Sequence, residues 1–321
     1  MKRYLWDDIG DDARRQYTDA RSAFTAWEEA KKERAEVRGS MKWREVNGIE
    51  YLLKVSPTGS QKSIGPRSPK TEAICDKFTT TREVLDRRIA DLDAALERHQ
   101  RMNRALFVGR APKLLINILN RLEKEGLSEY FTVVGTHALY AYEAAVGVTF
   151  REVEVMETKD IDLMFDVRKR LLFVVHMARL DTSILKILQR EDPTFRIRAG
   201  QKHTAVNSNG FEVDIIRREP REGDPHPLRL TDDDDEFYAV PAKNAGILLD
   251  GPKFSAMIVS TSGHMARMNT ISPVTFIKFK RWLAEQPDRD VLKRKRDRSQ
   301  AAVVLELVEE FMPQLDLRDL M

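Results

Sequence analysis

The sequence predicts an α+β protein, in which helices flank a small mixed β-sheet. A helical and hairpin region precedes the sheet and a helical region follows it. Three observations carry that prediction. Stretches on both sides of the centre place apolar residues at three- and four-residue spacing, the period of an amphipathic helix. Asn47-Gly48, Asn209-Gly210 and Asp250-Gly251 each separate two apolar runs, a strong short-range hairpin signal. Strands and helices at the centre do not alternate strictly, as a parallel βαβ array would require.

Taken in order, residues 1–38 mix charges with Tyr17, Phe24 and Trp27 at helical spacing and read as helix. Trp43–Val46 and Ile49–Leu53 flank Asn47-Gly48, a pair suited to the two positive φ angles of a type I′ turn. Residues 56–70, rich in Ser, Pro, Gly, Lys and Arg, read as a basic loop. From Thr71 to Arg104 a stripe of Ile74, Phe78, Val84, Leu85, Ile89, Leu92 and Leu96 predicts one long helix. Such a stripe serves as core or as a partner-helix surface, so an oligomer through 71–104 is compatible with the sequence. A domain boundary is expected near Val108-Gly109-Arg110. It gives an N-terminal region 1–108, a core 109–262 and a C-terminal helical region 263–321.

Within the core, Pro112 suits the first position of a helix whose face is Leu114, Leu115, Ile118, Leu119 and Leu122, with Gly126 as its stop. Phe131–Gly135 reads as a short buried strand, after which Thr136 can cap a helix running to Val146. A strand at Thr158–Asp166 and a helix at Thr182–Glu191 follow. Next come a hairpin of His203–Asn207 with Phe211–Arg217 and a second of Gly246–Leu249 with Phe254–Ser260. Ser272-Pro273 opens a helix through Trp282, and a last helix covers 298–312.

The composition excludes several classes. At 42% hydrophobic and 33% charged, the 321 residues are those of a globular protein. The 54 basic and 51 acidic side chains nearly cancel, so overall charge selects no partner. One cysteine, Cys75, forms no intramolecular disulfide and suits a reducing compartment. The start has no apolar signal core, and the most apolar stretch, Leu171–Leu180, is too short to span a bilayer. A cytoplasmic protein without a membrane partner is expected.

The chemistry concentrates in Thr158–Asp166. Residues two apart on a strand share a face, so Asp160 and Asp162 point one way while Ile161, Leu163 and Phe165 point to the core. Their Cα atoms would lie about 6.5–7 Å apart, which lets both carboxylates converge on metal ions of the kind that assist phosphoryl transfer. In Phe211–Ile215 the apolar residues are Phe211, Val213 and Ile215, which throws Asp214 to the opposite face. If the two strands pair, three carboxylates meet. Three hard oxygen donors without a His or Cys cluster favour Mg²⁺ or Mn²⁺ over zinc. At Val134-Gly135-Thr136 a strand hands over to a helix. The glycine admits close backbone approach, and the helix start and the Thr136 hydroxyl offer donors to a triphosphate.

Together these residues resemble the DNA polymerase β-like nucleotidyltransferases. Gly135-Thr136, Asp160-Ile161-Asp162-Leu163 and Val213-Asp214-Ile215 carry the resemblance. The fuller runs Gly135–Glu143 and Thr158–Leu163 are similar to a bacterial branch of that superfamily with an extra N-terminal region, here 41–72. The resemblance covers most of the chain, with its specific motifs in 134–216. The 25 positions from Gly135 to Asp160 exceed the minimal motif spacing, so an insertion around Val148–Glu157 is expected. The resemblance implies that Asp160 and Asp162 bind both metals, and that Asp214 binds the catalytic one and helps to activate the incoming hydroxyl. It also implies that a lysine on the helix after the sheet, Lys278 or Lys280, contacts the phosphates of an NTP substrate. The acceptor would be RNA, a protein or a small molecule.

Plainer readings stand beside these. Asp-x-Asp also occurs on solvated strand faces and in metal-dependent glycosyltransferases, and a nucleotide-binding protein that has lost its chemistry would keep the fold. Lys293–Arg298 can hold RNA phosphates or be a solvated helix end. Asp232–Asp235, after Pro225 and Pro227, reads as a solvated loop. His137 neighbours the phosphate loop by adjacency alone. There is no G-x-G-x-x-G and no P-loop.

Overall fold

The computed structural model describes residues 5–151, 156, 159–231 and 236–320. Asp232–Asp235 and half of the expected insertion, residues 152–155 and 157, lie outside the described residues. Contacts divide the chain into two compact units, one of residues 15–103 and one of 1–14 with 104–321.

Along the chain a short strand β1 (Trp6–Asp8) precedes a long helix α1 (Asp11–Glu36). Three antiparallel strands follow, β2 (Ser40–Val46), β3 (Ile49–Val55) and β4 (Gln61–Pro66), and then α2 (Pro69–Ala105). In the smaller unit α1 and α2 run antiparallel. Gln16 Nε2 donates to Asn103 Oδ1 at 2.9 Å, Trp27 Nε1 to Asp93 Oδ1 at 2.7 Å and Arg34 Nε to Asp86 Oδ1 at 2.5 Å. Tyr17, Ala20, Phe24 and Leu85 are buried here, while Val84 of the expected stripe is 58% exposed. Asn47 and Gly48 take φ of 50° and 75°, as a type I′ turn needs. The expected basic loop 56–70 is in part a strand, because β4 pairs along β3. Its sequence, Gln-Lys-Ser-Ile-Gly-Pro, lacks apolar alternation, so only the backbone pairing reveals it.

The larger unit is built on one mixed sheet. Its strands are β5 (Phe131–Val134), β7 (Asp160–Phe165), β9 (Gln201–Val206), β10 (Glu212–Arg218), β12 (Tyr238–Ala242), β13 (Lys253–Val259) and β14 (Met265–Ile271). The short strands β8 (Arg196–Arg198) and β11 (Leu228–Arg229) extend it, and β6 (Val148–Phe150) pairs with β1. The path runs β13-β14-β5-β7-β10, and β10 then meets β9 along its first half and β12 along its second.

Alternation on the strands assigns the faces. Ile161, Leu163, Phe165, Val213 and Ile215 join a core with helices α3 (Lys113–Lys124), α5 (Arg170–Leu180) and α6 (Ile184–Gln189). Val134, Met164 and Ile271 join a second core, with α4 (Leu139–Val146), α8 (Pro273–Glu285) and α9 (Val291–Phe311). No helix among the described residues is long and apolar enough to cross a membrane.

Four more expectations change. Asp250-Gly251 makes no hairpin, because Gly246–Asp250 is a short helix, α7, and Gly251 has φ −69°. A Cβ on Gly251 would lie 2.5 Å from Thr275 Oγ1 and 2.9 Å from the Ile247 carbonyl oxygen, so close approach explains this glycine. The hairpin there joins β13 to β14 through Gly263, whose φ is 82°. The segment 263–321 is therefore not wholly helical, since β14 belongs to the sheet. Thr136 does not cap a helix: Gly135–Ala138 forms a 3-10 turn that runs into α4. Finally, α9 begins at Val291 rather than 298, because Asp290 caps it by accepting from the Leu292 and Lys293 amides.

One buried ion pair anchors the helix that follows Gly135. Glu143 on α4 is 4% exposed; it accepts from the Phe150 amide at 2.6 Å and from two nitrogens of Arg110. Arg110→Ala would leave that carboxylate buried without its cation. Unfolding free energy measured by denaturant titration should fall by about 3 kcal/mol. A change within error would mean that the pair does not hold α4.

Candidate active site

The site is assembled by three strands side by side. Asp162 on β7 lies opposite Val134 of antiparallel β5 and beside Asp214 of parallel β10. The parallel register keeps Asp160, Asp162 and Asp214 on one face, the face that α8 and α9 cover further along. Oxygen atoms of all three carboxylates lie within 4.8 Å of one another. They open into a cleft of about 450 Å³, which Gly135 and Thr136 also line. Gly135 has φ 67°, and a Cβ there would come within 2.2 Å of Asp162 Oδ2. The glycine therefore admits the carboxylate as well as the turn.

Burial and like charge leave their mark on these acids. Asp162 is pushed up to about 7, chiefly by burial and then by Asp160 and Asp214, with Lys280 and Arg289 acting against the shift. Burial also raises Asp214, although Thr204 Oγ1 donates to its Oδ1 at 2.5 Å. Three oxygen donors so close, one with an ionisation this costly, fit a hard divalent cation. Such an ion would be held by Asp160, Asp162 and Asp214.

The opposite wall is cationic and aromatic. Of the two lysines singled out on α8, Lys280 lines the cleft and Lys278 does not. Lys280 is 4% exposed and donates to Asp297 Oδ1 at 2.8 Å; Arg289 meets Asp297 Oδ2 at 2.9 Å. Burial lowers the Lys280 ammonium, and Asp297 and Asp162 pull it back up. The Thr136 hydroxyl accepts from Gln300 Nε2 at 3.0 Å, which ties the loop to α9.

The basic run 293–298 is not a uniform strip. Lys293 and Arg296 line the cleft, Lys295 and Arg298 are exposed, and Asp297 is fully buried. Sequence reading missed Arg289, Asp297, Gln300, Phe279 and Trp282. The one available signal was Asp297, a single acid inside a basic run on a helix. His137 is wholly buried against the rings of Tyr140 and Phe211, and burial lowers it to about 4, so it is neutral near pH 7.

Two outcomes follow from this geometry. Asp162 is raised in the folded state from 3.8 to about 7, so the folded protein holds its proton more tightly than the unfolded chain. That contribution is complete below about pH 4 and is lost as pH rises towards 7. In chelator, melting temperature should therefore fall across this window in the wild type and less so in Asp162→Asn. Equal slopes would refute the coupling. Separately, Gly135→Ala should displace the Asp162 carboxylate while the fold persists, lowering Mn²⁺ affinity, read by electron paramagnetic resonance, about tenfold or more. Unchanged affinity would remove Gly135 from the site.

The comparisons with known proteins agree with this chemistry. No curated protein and no solved structure matches the chain. A family model described as nucleotidyltransferase matches residues 113–321, more than half of the chain and every strand of the nine-stranded sheet. The chain thus belongs to that nucleotidyltransferase family and is an enzyme of the transferase class.

Proposed function

We propose that this enzyme transfers a nucleoside monophosphate from an NTP to an acceptor hydroxyl and releases pyrophosphate, with Mg²⁺ or Mn²⁺ as its cofactor. The observation that carries the reading is the convergence of Asp160, Asp162 and Asp214 opposite Lys280, Arg289, Lys293 and Arg296 in one cleft. The anionic wall suits a cation and the cationic wall suits a polyphosphate. The family match favours this over the glycosyltransferase reading, and the retention of all three acids favours an active enzyme over an inactive one.

When bound, the divalent cation would neutralise charge on the phosphoryl oxygens and on the departing pyrophosphate. The chain's own groups do the rest. Gly135 leaves room for a phosphate beside the Asp162 carboxylate. Lys280 and Arg289, both held by Asp297, present fixed positive charge to the triphosphate, so little reorganisation is needed as charge moves. Asp214, raised by burial, is suited to take the acceptor hydroxyl proton. The acceptor oxygen then bonds to the α-phosphorus while the bond from that phosphorus to pyrophosphate breaks. RNA, protein and small molecules all supply such a hydroxyl.

Incubation with each α-labelled NTP and cell lysate tests this, because the fraction that becomes labelled names the acceptor. Asp160→Ala and Asp214→Ala should each lower labelling by about a hundredfold or more, while Asp288→Ala, which pairs with Lys243 at the exposed edge of the cleft, should retain most of it. Full labelling by Asp214→Ala would overturn the three-carboxylate site.

A further inference from the structure

Beside the cations, the same wall of the cleft presents an aromatic surface. On α8, Phe276, Ile277, Lys280 and Ala284 are buried. Phe279, Trp282 and Leu283 of the same helix, with Gln286 at its C-cap, are instead half-buried and line the cleft. The Phe279 and Trp282 rings stack on each other, with centroids 5.9 Å apart and planes 21° from parallel. An aromatic surface left accessible inside a cleft otherwise lined by acids and bases calls for an occupant that is flat and apolar where the rest of it is charged. A nucleoside triphosphate has that polarity, with phosphates at one end and a base at the other.

Gln286 adds a direction. Its Nε2 donates to the Trp282 carbonyl oxygen at 3.0 Å. A carbonyl can only accept, so this bond fixes which way the amide is turned and leaves Oε1 as the free end. Beside the stacked rings, an acceptor reads a donor on the edge of a base.

We infer that Phe279, Trp282 and Gln286 form the nucleobase subsite of this cleft. The two rings are the stacking platform, and Gln286 Oε1 accepts from an exocyclic amine on the base edge. The inference rests on the NTP reading above and adds a preference to it: adenine, with its 6-amino group, is held better than hypoxanthine, which carries an oxygen there.

Calorimetry on the full chain with Mg²⁺ tests it, using an α,β-methylene ATP analogue, the matching inosine compound and inorganic tripolyphosphate. Trp282→Leu should weaken the ATP analogue about tenfold or more, in line with the loss of one base–aromatic stack, and leave tripolyphosphate within about twofold. Gln286→Leu should abolish the preference for the adenine over the hypoxanthine compound. The tripolyphosphate arm also reports whether each variant still folds around the cleft. Trp282→Leu that leaves the ATP analogue unaffected, or weakens both ligands alike, overturns the platform. A wild type without preference between the two purines overturns the role of Gln286. Failure of the wild type to bind either the analogue or tripolyphosphate overturns the NTP reading, and the subsite with it.

Discussion

Three carboxylates with oxygens inside 4.8 Å repel one another, and the site depends on how that repulsion is contained. The strands cannot relieve it, since the parallel register of β7 and β10 sets Asp162 beside Asp214 and pairing fixes both backbones. The repulsion adds to burial, the larger cause, in raising the Asp162 carboxyl to about 7. Part is offset by positive charge behind the cleft, from Lys280 and Arg289. A divalent cation is the natural complement to what remains.

Those two cations are themselves under constraint. Lys280 is almost wholly buried, and a buried ammonium is costly unless it is paired. Asp297 is the pair, fully buried and shared between Lys280 and Arg289. A positively charged wall is thereby built from α8, the loop after it and α9, all anchored on one carboxylate. The same helices supply Phe276, Val304 and Leu307 to the core beneath the sheet. Packing and electrostatics therefore share the same elements, and a change in how α9 lies on the sheet would move the Asp297 anchor and the Gln300 tie to Thr136 together.

The family assignment and the geometry support each other from different directions. The family model covers 113–321 without reference to where any side chain lies. The geometry reaches the same chemistry from the separation of carboxylate oxygens and the charge facing them. The smaller unit, with its antiparallel α1 and α2 and three-stranded sheet, falls outside the matched residues.

Local rules were enough for several features. Period-two alternation assigned Asp160, Asp162 and Asp214 to strand faces opposite the core, because side-chain direction on a strand is set by position alone. The Asn47-Gly48 turn was equally legible, since positive φ at two successive residues demands those types. Tertiary structure decided the remainder. Asp250-Gly251 looked like the same turn, yet a Cβ on Gly251 would meet the Thr275 side chain at 2.5 Å, a contact 24 residues along the chain that no local pattern encodes. Strand β4 exists through backbone pairing with β3, and the Thr136 hydroxyl accepts from Gln300 Nε2 instead of capping a helix start. Lys280 was separated from Lys278, and Arg289, Asp297 and Trp282 were brought to the cleft, only when α8 and α9 packed on the sheet. The sequence by itself determined which residues carry the charge and which way each strand turns them. Only the tertiary structure decided which charges meet, because meeting depends on distances between elements far apart in the chain.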